Sequence, residues 1–169
     1  IRSLTTTLDG NEIFLSQTGF ALSYDYTFSD SNNNGTIDLS ILLVDSAGDE
    51  VDTSLNRIFF DKTRPSLSDI LEGSHIIDLT YTPYDDSLHL SWSAIDLESG
   101  LRNAFMAIGS DSDLSDIVSW TTAENHSSGA MTGISLINNS TYYGAVHLED
   151  LVGNMSDSLW GNGVIVDIT

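Results

Sequence analysis

Hydrophobic and polar residues alternate along most of the chain. In the segment 20–28 every second residue is aromatic or aliphatic, and residues 36–44 repeat the alternation with Ile37, Leu39 and Ile41. A period of two is typical of β-strands with one buried face. Further strands, bounded by Gly, Asn, Asp and Ser clusters, are predicted at Glu12–Ser16, Asn56–Asp61, His75–Thr82, Ser87–Ala94, Asn103–Gly109, Ala130–Ile137, Thr141–Glu149 and Asn162–Ile168.

One segment, Asp113–Ala123, departs from this alternation. Leu114, Ile117 and Val118 have the i, i+3, i+4 spacing of a helix, and acidic residues precede them. The pattern predicts one or two helical turns here. Because the rest of the chain alternates, the predicted fold class is all-β.

A short phrase occurs twice in the sequence. Asp45–Asp49 reads Asp-Ser-Ala-Gly-Asp, and Asp150–Asn154 reads Asp-Leu-Val-Gly-Asn, 105 residues later. An immunoglobulin-type sandwich is about 100 residues long, so this period predicts two modules in tandem. The segment around Pro65 breaks the alternation, which places the boundary between a first module at 1–65 and a second at 66–169.

In the second module, the segments Leu88–Trp92, with Leu88, Leu90 and Trp92 pointing inward, and Thr141–Val146 carry a resemblance to a known family. Through them the module resembles the fibronectin type III-like modules of large bacterial surface proteins of the adhesin type, and the two segments are similar to the second and sixth strands of that fold. The resemblance implies that Tyr142 is a tyrosine-corner residue whose hydroxyl binds nearby backbone. It implies no catalytic activity. Further similar segments are Ile95–Leu101, Met106–Gly109 and Asp116–Thr121.

The first module resembles the second half of a bacterial Ig-like repeat. The segments that carry this resemblance are Tyr24–Thr27, Gly35–Ile37, Asp45–Gly48 and Phe60–Pro65, with Asp49 in place of the usual Asn. Only 19 residues precede Phe20. We therefore expect one or two short strands there, and an abridged or truncated sandwich that either rests on the second module or accepts a strand from another copy.

Composition narrows the classes of partner. A formal net charge of −20 with five basic residues repels polyanions, so we expect neither nucleic acid nor an anionic membrane surface to bind. No apolar run approaches the roughly 20 residues of a membrane helix. The absence of cysteine excludes disulfides and thiolate ligands. Scattered acidic residues are typical of a solvated surface in salty or calcium-containing surroundings, or simply of a soluble protein.

Two acidic groups are candidates for calcium binding. Asp30, Asn32, Asn34 and Asp38 follow the oxygen spacing of an EF-hand loop, but Ile41 stands where the loop needs a bidentate Glu. A polar hairpin turn is the alternative.

The second group is Asp96, Glu98 and Asp150, in loops that a sandwich places at the end where its chain enters, together with Asp61 of the preceding module. The alternative is that Asp96 and Asp150 accept hydrogen bonds from their own turns.

Neither catalysis nor cofactor binding has a clear signature. The four histidines form no metal-binding spacing, and by alternation His89 and His147 face outward. Trp120 and Trp160 are candidates for stacking on sugars, although buried aromatics near a sandwich edge are the commoner case.

We therefore expect a non-enzymatic stalk or adhesion segment of a secreted or cell-surface protein, whose first partners are neighbouring modules of its own chain. A carbohydrate-binding accessory region of a secreted hydrolase, with glycans as partners, and a filament subunit that assembles by strand donation are the alternatives.

Overall fold

The computed structural model describes residues 3–8, 11–13, 16–18, 21–23, 35–44, 47–73 and 77–169. The chain forms two compact units, Ile1–Lys62 and Thr63–Thr169, divided three residues before the predicted boundary. Every regular element in the described ranges is a β-strand, which confirms the all-β prediction. Within these ranges no helix has the length and hydropathy needed to cross a membrane.

The first unit contains a four-stranded antiparallel sheet in the order β2-β1-β5-β6 and a separate β3-β4 pair. Its described strands are β1 (Ser3–Leu8), β2 (Asn11–Ile13), β3 (Ser16–Thr18), β4 (Ala21–Ser23), β5 (Gly35–Val44) and β6 (Glu50–Phe60). Three of them precede Phe20, so the expectation of one or two is wrong. Apolar alternation does not predict β1, because threonines occupy its centre, although threonine favours strands.

The second unit is a sandwich of two sheets. Its strands are β7 (Ser66–Glu72), β8 (Tyr81–Thr82), β9 (Ser87–Ile95), β10 (Leu101–Gly109), β11 (Val118–Thr122), β12 (Ser128–Thr132), β13 (Thr141–Asp150), β14 (Leu159–Trp160) and β15 (Val164–Val166). One sheet has the order β12-β9-β7. The other has the order β11-β10-β13-β15-β8, with β14 also paired to β13. Only the β8–β15 pair is parallel among these strands.

The predicted helix at Asp113–Ala123 is wrong. Val118–Thr122 is strand β11 and pairs antiparallel with β10. The residues before it form a turn in which the Asp116 carboxylate accepts hydrogen bonds from the amide and hydroxyl of Ser110. A helix of one or two turns has few internal hydrogen bonds, whereas pairing with β10 gives this segment ladder bonds on one side, so sheet pairing overrides the local spacing.

The core lies between the two sheets of the second unit. Leu88, Leu90 and Trp92, which are predicted to point inward, are buried, and they share this core with Tyr142, Val146 and Leu148. The Trp92 indole N–H donates to the carbonyl of His126 at 2.7 Å. Gly144 faces Leu90 so closely that a β-carbon there would lie 2.2 Å from a Leu90 methyl carbon, which explains why this buried strand position has no side chain.

The tyrosine corner is also present. The amide of Ile137 donates to the Tyr142 hydroxyl at 2.9 Å, as the resemblance implied. Asn139, between these two residues, has a positive φ of 59° and donates its amide to Val166. The hydroxyl and the turn together tie the start of β13 to the end of β15.

Candidate functional site: two turns and an aromatic face of the second unit

The second copy of the repeated phrase is a turn that follows β13 and is organised by Asp150. This side chain is fully buried. Its Oδ1 accepts the amides of Val152 at 2.9 Å and Asn154 at 2.8 Å, and its Oδ2 accepts the Asn154 side-chain amide at 2.7 Å. Burial alone would raise the pKa of Asp150, but these hydrogen bonds together lower it. Asp150 is therefore a charged residue that organises its own turn. This is the alternative that the sequence offered to a role as a metal ligand.

The same turn holds the chain where it enters the second unit. Besides binding Asp150, the Asn154 side-chain amide donates to the carbonyl of Thr63 at 3.1 Å. One residue further on, the Arg64 guanidinium lies 2.7 Å from the Asp157 carboxylate, and both of these side chains are exposed. An exposed ion pair contributes little free energy. The bond from Asn154 to the linker is also exposed, but the part-buried bond to Asp150 fixes the Asn154 side chain that makes it.

The two copies of the phrase share their glycine geometry but not their last side chain. Gly48 has φ +94° and Gly153 has φ +96°, a conformation that only glycine adopts readily. Asp49 stands where the second copy has Asn154. Because a carboxylate has no hydrogen to donate, Asp49 cannot make the bond that Asn154 makes to a backbone carbonyl.

A second turn, after β9, lies beside the Asp150 turn. The Asp96 Oδ1 accepts the Gly100 amide at 2.6 Å, and the Gly100 carbonyl accepts the Leu151 amide at 2.9 Å. The other Asp96 oxygen is enclosed and has no hydrogen-bond partner among the described residues. A carboxylate oxygen of Glu98, which is exposed, lies within 4.8 Å of one of Asp96. The predicted meeting of these two loops is thus observed.

The other residues predicted to bind calcium are only partly described. Asp61 follows β6 in the first unit. Asp38 lies in β5, and Asp30, Asn32 and Asn34 lie outside the described residues. The EF-hand-like interpretation therefore stays a prediction.

Trp120 and Trp160 meet on the outer face of the larger sheet. Their ring centroids are 6.3 Å apart in an edge-to-face arrangement. His147 lies beside Trp120 at 4.3 Å and beside Phe105 at 5.0 Å. We call Phe105, Trp120, His147 and Trp160 the aromatic face.

Small residues let the tryptophans of the aromatic face approach each other. Ala107 pairs with Ala145 in the strand ladder, and Ala145 pairs with Trp160 on its other side. Both alanines are fully buried although they are not part of the core cluster between the sheets. Burial lowers the pKa of His147, so its ring is neutral near neutral pH. The outward direction predicted for His89 and His147 is confirmed, but the sequence did not show that His147 contacts Trp120.

Sequence reasoning missed two features of this unit. The bond from Asn154 to Thr63 spans 91 residues, and its only signal was the Asn that closes the repeated phrase. The buried Glu72 had no signal, since acidic residues at strand ends are usually solvated.

Comparisons with known proteins show which solved structures have a similar fold. The sequence matches no protein-family model and no curated protein. Among solved structures, domains A168-A170 from titin align with 96% of this chain and 53% of theirs, at 13% identity and a TM-score of 0.53. The fibronectin(III)-like modules of Clostridium thermocellum CbhA align with 97% of this chain and 77% of theirs, at 11% identity and a TM-score of 0.46. The chain thus spans about half of the titin structure that it matches.

The chain has the all-β fold of tandem immunoglobulin-like and fibronectin type III-like modules.

Proposed function

We propose that this chain is a non-enzymatic spacer segment of a larger secreted or cell-surface protein. Modules of this fold usually act as structural units rather than as catalysts. The expected partners are the neighbouring modules of the same chain. The strong negative charge keeps such a segment soluble and discourages contact with polyanions.

The observation that carries this proposal is the bond from Asn154 to Thr63. A spacer transmits position along a chain only if the linker enters each module in a defined direction. In the second unit the turn after β13 fixes Asp150, Asp150 orients Asn154, and Asn154 holds the Thr63 carbonyl. The second copy of the phrase therefore has a mechanical role that does not require any ligand.

Replacing Asn154 tests this role. Asn154→Asp reproduces the last residue of the first copy, removes the donor and brings a second carboxylate next to Asp150. Asn138→Asp is the matched control, because Asn138 uses its side-chain oxygen to accept the Ile168 amide and an aspartate keeps that ability. We expect the ¹⁵N heteronuclear NOEs of Thr63 and Arg64 to fall in Asn154→Asp and to stay high in the control. Unchanged NOEs would contradict the proposed role.

Location is tested separately with an antibody raised against this chain. Labelling of intact, unpermeabilised cells of the source organism supports a surface or secreted protein. Labelling only after permeabilisation contradicts that part of the proposal.

We also propose calcium as a ligand of the Asp96 turn. The free Asp96 oxygen and the nearby Glu98 carboxylate are hard oxygen ligands. Binding to the folded state alone would stabilise it by about 2.7 kcal/mol at a hundredfold excess over the dissociation constant.

Thermal melts with millimolar calcium, with EDTA and with NaCl at matched ionic strength test the calcium proposal. The calcium shift should disappear in Asp96→Asn and persist in Asp113→Asn, a control in an exposed loop. A shift equal to that of matched NaCl would reject calcium binding.

The aromatic face favours glycan binding as a second function. Trp120 is 37% exposed, and its ring offers an apolar surface on which the C–H groups of a sugar stack. The net charge of the chain favours a neutral sugar over an acidic one. This candidate corresponds to a carbohydrate-binding accessory region of a secreted hydrolase.

Affinity electrophoresis in neutral polysaccharides tests the glycan function. Retardation should be lost in Trp120→Ala and Trp160→Ala but kept in Tyr84→Ala, which removes an exposed aromatic ring from the loop after β8. If the native chain is not retarded by any polysaccharide, the spacer function alone remains.

A third proposal concerns self-assembly by strand addition. In the first unit β6 lies at one end of the four-stranded sheet among the described strands, and the edge of a sheet can pair with another chain. Static light scattering over a concentration series checks this. A mass that grows with concentration supports assembly, whereas a constant monomer mass at tens of micromolar rejects it.

A further inference from the structure

Glu72 at the end of β7 is fully buried, and its titratable side chain joins the two sheets of the second unit. Its carboxylate crosses from the β12-β9-β7 sheet to the larger sheet. The Oε1 atom accepts the amide of Gly144 in β13 at 3.1 Å and the amide of Gly163, which precedes β15, at 3.3 Å. One oxygen of a β7 residue therefore binds both β13 and the segment just before β15.

Glycine residues form the space that the carboxylate occupies. A β-carbon on Gly161 would overlap the Glu72 carboxylate, whose three atoms would lie within 2.5 Å of it. Because Gly161 donates its amide to the Gly144 carbonyl, it is fixed beside β13 and cannot move away. The cavity fits a carboxyl group and leaves no room for a larger neighbour.

The second oxygen of this carboxyl group has no partner. Glu72 Oε2 is enclosed and accepts no hydrogen bond from the described residues. The charged group next to it is Asp78, whose Oδ1 accepts the Glu72 amide at 3.1 Å and whose Oδ2 is bound by neutral Asn162. From β9, β13 and the segment after β14, the residues that face Glu72 are Leu90, Gly144 and Gly161, none of which titrates.

We propose that Glu72 is a proton-operated clasp: the sandwich of the second unit closes around the protonated side chain and loosens between β7 and the β14–β15 segment when Glu72 ionises. Protonation places the hydrogen on Oε2 and leaves Oε1 free to accept from Gly144 and Gly163. Ionisation leaves a buried charge beside Asp78 with one oxygen unsatisfied, which is costly. The contribution of Glu72 to the stability of the module is thereby largest when this side chain is protonated.

The direction of the titration agrees with this geometry. Burial, and after it the Asp78 charge, raise the pKa of Glu72, and the amide hydrogen bonds only partly oppose them. A group whose pKa is higher in the folded state stabilises fully below its unfolded value, here 4.5, and loses that stabilisation as pH rises through its folded value. The relevant range therefore begins near pH 4.5 and extends upward.

Urea unfolding of the full chain between about pH 4 and pH 8 tests the clasp. All three tryptophans lie in the second unit, so tryptophan fluorescence reports its unfolding alone. Glu72→Gln keeps the shape and the Oε1 acceptor but cannot ionise. Above pH 4.5 the unfolding constant of the native chain should rise relative to that of Glu72→Gln by up to about tenfold per pH unit. The rise should level off at the folded pKa of Glu72. In Asp78→Asn the rise should level off at a lower pH, because the charge that helps to raise the pKa of Glu72 is removed.

A constant ratio across this range would overturn the proposal. If Glu72→Gln does not fold, the ¹³C shift of the Glu72 carboxyl in the native chain provides the answer directly. A titration midpoint above 4.5 supports the clasp, and a midpoint at or below 4.5 overturns it.

Discussion

At the scale of single residues, three buried polar side chains of the second unit bind backbone groups of nearby loops. The Trp92 indole binds the His126 carbonyl, and the Tyr142 hydroxyl accepts the Ile137 amide. Asp150 likewise satisfies two amides of its own turn. Each side chain fixes a loop that has no ladder of its own, because buried backbone groups need partners.

Tyr142 provides a direct measure of one such bond. Tyr142→Phe removes the acceptor of the Ile137 amide, and we expect the free energy of unfolding to fall by about 1 kcal/mol, with a larger loss if the amide stays enclosed. Urea denaturation followed by tryptophan fluorescence measures the change. Tyr143→Phe is the control, because the ring of Tyr143 lies on the opposite face of β13. Equal losses in both variants would contradict the tyrosine corner.

At the scale of elements, β7 is protected against pairing with other chains by its irregular backbone. It is the edge strand of its sheet, and its register with β9 shifts between Ser68 and Leu71. Asp69, within this bulge, has φ +57°. A bulge twists the edge and interrupts the row of free backbone groups, so strand addition is disfavoured here.

The bulge makes opposite predictions for two substitutions of Asp69. Asp69→Gly should be neutral or slightly stabilising, since glycine adopts positive φ without strain. Asp69→Val should lower the free energy of unfolding by about 1–2 kcal/mol, because a β-branched residue is strained in this conformation. Paired urea titrations of the two variants compare these effects. Equal stability would mean that β7 has no such bulge.

At the scale of the whole molecule, stability depends on opposing titrations. Hydrogen bonds from Ser110 lower the pKa of Asp116, those from Thr169 lower that of Asp167, and those around Asp150 outweigh its burial. Stability from these groups is present above their ordinary value of 3.8 and is lost as pH falls through their folded values. The stability that Glu72 contributes changes in the opposite direction, because it is lost as pH rises. Protonation of acidic residues also reduces the electrostatic repulsion within a chain of net charge −20.

The second unit should therefore have its highest urea midpoint on the acid side of neutrality, at about pH 4 to 5. Asp150→Asn should weaken the loss of stability below this range, and Glu72→Gln should weaken the loss above it. Midpoints recorded in buffers of constant ionic strength separate titration from salt screening. A maximum at pH 7 or above in the native chain would contradict this balance.

Much of the second unit could be predicted from its residues. Strict alternation identified Leu88, Leu90 and Trp92 as core, because a strand with one buried face shows its period directly. The role of Asp150 as an acceptor within its own turn was one of the two alternatives that the sequence left open. The first unit was harder, since the Thr-rich β1 has little apolar alternation and one predicted strand divides into β2 and β3.

Local sequence thus determined the class, the main strands and the turn chemistry, because these depend on neighbours in the chain. Tertiary structure decided the rest. The Val118–Thr122 segment forms a strand because it pairs with β10. Trp120 lies beside His147 because β11, β10 and β13 are neighbours in that order in the sheet. The buried Glu72 likewise depends on glycines 72 and 91 residues away along the chain. Contacts between distant segments leave no local period, so only the folded chain shows them.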